Sequence, residues 1–149
     1  MFAMMHRHGF FVHACSDLKS IGKTIGHCTK DGSIDNAGTK PYYTGSTKHS
    51  HYTLTAGAIH HISHGICLFE GIGYGKSATA WQMSESEGGG YRLNDGLTHK
   101  GFAAELGTLA SFGKVSISAS AITIAGKQWQ ANIGIGIKLG KQKVSSKQE

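Results

Sequence analysis

Charge is scarce in this chain. Charged residues make up 16% of its 149 positions, and only Arg7 and Arg92 are arginines. A formal net charge of +6 would otherwise suggest a nucleic-acid binder. The lysines, however, fall singly near expected turns (Lys48, Lys100, Lys114, Lys127) or in a polar C-terminal tail (Lys138, Lys141, Lys143, Lys147). That is not the clustered footprint of a phosphate-tracking surface, so no nucleic-acid partner is expected. A long hydrophobic run is missing too. The longest stretch without Asp, Glu, Lys or Arg, His49 to Phe69, holds five histidines (His49, His51, His60, His61, His64) that hydrocarbon would not accept in a helix. No run of useful length has the 3.6-residue period of a helix.

Three cysteines without a CxxC pair exclude a zinc ribbon or a dithiol redox motif. Cys15 and Cys28 could face each other across a hairpin turning near Ile21–Gly22, although isolated thiols are the expected state. The N-terminus, MFAMMHRHGFFVHAC, is a poor leader, because His6, Arg7, His8 and His13 interrupt a short apolar segment. Val12-His13-Ala14-Cys15 only faintly matches a lipoprotein cleavage box.

Catalytic patterns are equally thin. Gly71-Ile72-Gly73-Tyr74-Gly75-Lys76-Ser77 fails as a phosphate loop because Glu70 stands where the first glycine is required. It fails as a dinucleotide fingerprint because residue 76 is lysine. There is no G-x-S-x-G elbow. Glu70 and Glu105 are the conceivable carboxylate pair, but an inward charge is the simpler role for Glu105. The expectation is a protein that is not an enzyme and needs no cofactor. His60, His61 and His64 form the densest imidazole cluster and are the candidate metal ligands, with His49 and His51 on a neighbouring strand end. Exposed turn histidines are the plainer reading, and the expectation is that no metal is required.

What the chain does have is alternation. Trp129, Ala131, Ile133, Ile135, Ile137 and Leu139 occupy one register, and Gln130, Asn132, Gly134, Gly136 and Lys138 the other. A period of two places these sets on opposite faces of a β-strand. One face is aliphatic with a leading aromatic, and the other is small or polar. A transmembrane barrel strand has this composition, with lipid on one side and a wet lumen on the other; a soluble sandwich strand has it with the aliphatic face turned into a core. Gly 22 against Pro 1 fits the same picture, because many of the glycines sit inside alternating runs, where they mark crowded or bent strand positions.

The strands expected are Gly9–Asp17 and Lys23–Lys30 as a first pair, a short Pro41–Gly45, Ser50–His61, Ile66–Met83, Thr98–Ser111, Lys114–Ile124 and Gln128–Leu139. Asp31–Lys40 and Ser84–Gly96 are loops. In Thr98–Ser111, Phe102, Ala104 and Leu106 should face outward, with Gly101, Ala103, Glu105 and Gly107 inward. Glu70 shares the outward register of Leu68, Ile72 and Tyr74. The fold class is therefore all-β: an antiparallel meander of about eight strands forming an up-and-down barrel, complete or incomplete, over 1–140, with a polar tail over 141–149.

The run from Tyr52 to Leu139 resembles the C-terminal barrel region of Bacteroidota outer-membrane β-barrel proteins. The pieces that carry this are TLTAGAIHHI, LFEGIGYGKSATAW, THKGFAAELGTLASFGKVSISAS and ANIGIGIKL. The resemblance implies location in the cell outer membrane, a structural or anchoring role and no catalytic residues. The partner it implies is the lipid bilayer, or detergent in its place; no particular protein partner is indicated. An exported barrel needs a leader, so the chain reads as a fragment or C-terminal domain of a longer exported protein. Glu70 departs from the family pattern, as does an ending that is not aromatic. The alternatives are a soluble barrel or sandwich binding a small apolar ligand or a partner protein, and a histidine-rich metal-binding module.

Overall fold

The computed structural model describes residues 1–4, 8–35, 43–84 and 89–137. Their regular structure is all strand: β1 (Phe2–Met4), β2 (His8–Ser16), β3 (Gly26–Cys28), β4 (Tyr43–Ser63), β5 (Ile66–Met83), β6 (Tyr91–Asn94), β7 (His99–Phe112), β8 (Val115–Ile124) and β9 (Gln128–Ile137). All belong to one sheet with the path β1-β2-β4-β5-β7-β8-β9. Every pairing along that path is antiparallel. The sheet curls into a half-barrel. Among the described residues no ladder joins β9 back to β1.

β6 adds antiparallel to the end of β5, and β3 lies parallel to β6. These two short strands form a cap at one end of the sheet. The expected first hairpin does not form. β2 pairs instead along its whole length with β4, from His8 opposite His60 to Ser16 opposite Tyr52. A long ladder satisfies more backbone groups than a short local hairpin could, which leaves only Gly26–Cys28 of the second expected strand, and these residues pair with β6. The expected loop Ser84–Gly96 likewise contains β6. Cys15, Cys28 and Cys67 form no disulfide. Part of the short strand expected at Pro41–Gly45, residues 36–40 of the expected Asp31–Lys40 loop and the tail over 141–149 lie outside the described residues.

The turns explain how the long strands connect. Ala125 and Gly126 have φ of 53° and 66°, and Lys127 N donates to Ile124 O at 3.0 Å. Two consecutive positive φ values make the turn whose twist matches an antiparallel hairpin. At the opposite end, Gly65 and Gly113 supply positive φ in the tight turns from β4 to β5 and from β7 to β8. β2 starts and β9 ends at this tight-turn end. The longer connections, which carry β3 and β6, lie at the other.

Candidate membrane interface and sealed interior

The ladder registers put one apolar residue beside another around the outside of the curl. Phe2 and Met4 of β1 stand opposite Val12 and Phe10 of β2. Leu54 meets Tyr74, which meets Phe102; Ala56 meets Ile72, which meets Ala104; Ile117 meets Ile135, and Val115 meets Ile137. Apart from the half-buried Ala104 these side chains are exposed, Ile135 by 81%, as is Ile133 beside it on the same face of β9, by 84%. In β9 the exposed and half-buried positions alternate from end to end. β7 alternates as its sequence predicts: Phe102 and Leu106 are bare, while Ala103 and Glu105 are buried. From Ile66 to Tyr74 the belt runs about 26 Å along β5, or about 20 Å in height at the roughly 40° tilt usual in barrels. That approaches the roughly 25 Å apolar band of an outer-membrane barrel. Soluble monomers rarely expose a contiguous apolar patch beyond a few hundred Å², and this belt crosses strands from β1 to β9. No second sheet covers it among the described residues, so the sandwich alternative loses its core.

The inner face is filled. Near the tight turns Phe11, Ile59, Cys67, Phe69 and Leu109 pack together, with the rings of Phe11 and Phe69 edge to face at 5.0 Å. Nearer the cap, Ala103, Ile122 and Ile124 form a second apolar layer. The glycines of the failed phosphate loop have their explanation here. A Cβ on Gly71 would fall 2.6 Å from Phe11 Cζ, and one on Gly107 2.4 Å from Phe69 Cζ. Side chains take the space that glycine vacates, so this region is a packed core and holds no channel.

Between the apolar layers lies a polar one. His13 Nδ1 of β2 is 2.8 Å from Glu105 Oε1 of β7, and Thr55 Oγ1 of β4 donates to Glu105 Oε2. The Glu105 side chain has no exposed surface, and that of His13 is 16% exposed. A buried carboxylate is tolerable only with such partners. Nearby, Cys15 Sγ of β2 is 3.8 Å from Asn132 Oδ1 and 3.9 Å from Gln130 Nε2 of β9. The two ends of the curled sheet therefore touch through side chains across the interior. Sequence reasoning gave His13 no partner because Glu105 is 92 positions away; only the inward register of Glu105 was legible.

The candidate metal ligands do not converge. His60 and His61 are consecutive on β4 and so point to opposite faces, while His64 sits in the turn. His60 Nε2 lies 3.5 Å from Glu70 Oε1 on the outer face, and His8 packs edge to face on the His60 ring at 6.0 Å. Glu70 thus has a polar partner on the apolar side. Among the described residues no group of three or more His, Cys, Asp or Glu side chains is arranged to hold a metal ion. The other expected carboxylate partner, Glu105, faces inward, so Glu70 and Glu105 stand on opposite faces of the sheet.

The cap is built differently. Ile21 packs with Ala78 and Ala80 on the outer face of β4–β5, beside Tyr91 and Leu93 of β6. Asn94 is fully buried; its Nδ2 donates to Lys30 O and its Oδ1 accepts from Leu97 N. Asp17 Oδ1 accepts from the backbone N–H groups of His51 and Lys19, which holds its carboxyl below the usual range. Burial, and then the nearby Asp95, push the Cys28 thiol up, so it stays protonated and unreactive at neutral pH. Comparison with known proteins finds no matching family model, no similar curated protein and no similar solved structure.

Proposed function

We propose that the protein is a non-catalytic outer-membrane β-barrel domain of the Bacteroidota type, whose work is to span and anchor in the bilayer. The observation that carries this is the exposed belt of Phe10, Leu54, Ile72, Phe102, Ile117, Ile133 and Ile135 around a single curled sheet. Moving one such side chain out of water is worth about 1.5–3 kcal/mol, and lipid supplies that cover around the whole belt. The connections support the reading: the turns at Gly65 and Gly113 are tight at one end, and both long connections, which carry the cap, lie at the other beside the tight β8–β9 turn, as in barrels with longer loops on one side of the membrane. With the interior filled, the domain conducts nothing, and its role is mechanical.

The two tryptophans provide the test. Trp129 is 70% exposed on the belt, whereas the ring of Trp81 lies against Gly32 in the cap. The protein is refolded into phosphatidylcholine bilayers carrying bromine on the acyl chains. In a Trp81→Phe variant the remaining Trp129 should be strongly quenched; in a Trp129→Phe variant the remaining Trp81 should keep most of its emission. Equal quenching of both, or a monodisperse protein in buffer without detergent, would overturn the proposal.

A further inference from the structure

Lys76 on β5 and Lys100 on β7 are direct cross-strand partners. Both follow the outward register, one step beyond the exposed pair Tyr74 and Phe102. Like charges set opposite each other destabilise a sheet, and among the described residues neither lysine has a carboxylate in ion-pair range. Lys48, the next lysine above them, is already engaged, with its Nζ 4.0 Å from the centre of the Tyr91 ring.

Lys76 also lines a cleft of about 200 Å³ under the cap, together with Ser20, Gly22, Ser50 and Tyr52 and the apolar Ile21 and Ala78. Tyr52 is the partner of Lys76 on β4. Ser20 Oγ accepts from Gly22 N at 3.1 Å, which leaves its own O–H to donate outward. Hydroxyl groups and Lys76 therefore line one cleft where the apolar belt ends and the cap begins, and Lys100 stands on the next strand as the cross-strand partner of Lys76.

We propose that this cleft binds the phosphomonoester headgroup of a membrane lipid, with the acyl chains lying down the belt over Leu54, Ile72 and Tyr74. The inference rests on the membrane reading above. A phosphomonoester carries about −1.5 to −2 charges near neutral pH, which matches two lysines. Ammonium groups grip phosphate as point charges and need no planar fork. The site lies at the edge of an apolar band beside aromatic side chains, where lipid headgroups reside.

The test places the full chain in phosphatidylcholine nanodiscs with or without a minor fraction of phosphatidate. Phosphatidate should raise the melting temperature of the natural protein by about 5 °C, as expected for a ligand held well above its dissociation constant. The shift should vanish in Lys76→Gln/Lys100→Gln and persist in Lys114→Gln, which alters the opposite end. Inorganic phosphate should give no shift. Without phosphatidate the double variant should melt no lower than the natural protein, because it relieves the repulsion. Insertion followed by the same shift in both proteins, or a full shift with inorganic phosphate alone, would overturn the lipid site and leave the barrel intact. Failure of the natural protein to enter the nanodiscs would overturn both.

Discussion

Two stretches of β5 show how differently the molecule treats its apolar residues. Between Glu70 and Tyr74 the outward positions are exposed while the inward ones are at least half-buried, so exposure alternates. From Ser77 to Ala80 every residue is buried, whichever face it points to. In the second stretch the protein covers both faces, with Ile21, Tyr91 and Leu93 laid over Ala78 and Ala80. In the first it covers only the inside. The residues left bare are also larger: Ile72 and Tyr74 against alanines. A chain able to cover outward alanines at the cap leaves isoleucines and aromatics uncovered along the body, which is what a surface made for lipid requires.

The largest effect expected from this comparison is on the interior of the body. Glu105→Ala leaves His13 and Thr55 without their buried partner and should cost about 3–5 kcal/mol, from two hydrogen bonds to a buried carboxylate at about 1.5–3 kcal/mol each. Denaturant unfolding in micelles measures it. A loss below about 1 kcal/mol would mean that water reaches the layer, and the body would then be open inside as well as bare outside.

Next comes the outside of the body. Ile135→Arg in the middle of β9 should cost about 2–4 kcal/mol in a bilayer. Gly136→Ala, on the other register, meets Ser116 Oγ at 2.8 Å. That hydroxyl can rotate away, and the expected loss is below about 1 kcal/mol. Similar small losses for both, measured by reversible unfolding in vesicles, would remove the distinction between the faces.

The smallest effect belongs to the cap. The carboxyl of Asp17 titrates below its unfolded value because backbone N–H groups hold the charged form. Its contribution is therefore full above the unfolded value, about pH 4, and is lost as pH falls through the lower folded value. Asp17→Asn should lower the melting temperature slightly and evenly between pH 5 and 8, about the pH range where the natural group stays ionised, and the deficit should shrink as pH falls through the lower folded value. A deficit of the same size at low pH, where the carboxyl is protonated, would show that the aspartate acts through something other than its charge.

Much of this fold was legible because a strand reports its two faces directly in sequence. The span Ile66–Met83 was readable to the residue, as were the faces of β7 and β9 and the inward position of Glu105. The first hairpin was not. Local sequence around Ser20–Gly22 permits a turn, but a nine-residue ladder to β4 outcompetes it, and sequence spacing carries no record of that competition. Lys100 lies at the start of β7, within the expected strand Thr98–Ser111, but its match with Lys76 depends on register, which the partner strand sets.

The sequence by itself determined the strand class, the alternation and the composition of each face, because a side-chain period of two is local to every strand. Only the tertiary structure decided which side of the curl each face takes, that His13 meets Glu105 across the interior, and that the cap covers one end of β5 and not the other. Those outcomes depend on which distant strands become neighbours and on how tightly the sheet curls. The sum of many ladder and packing contacts fixes both, and no single segment encodes either.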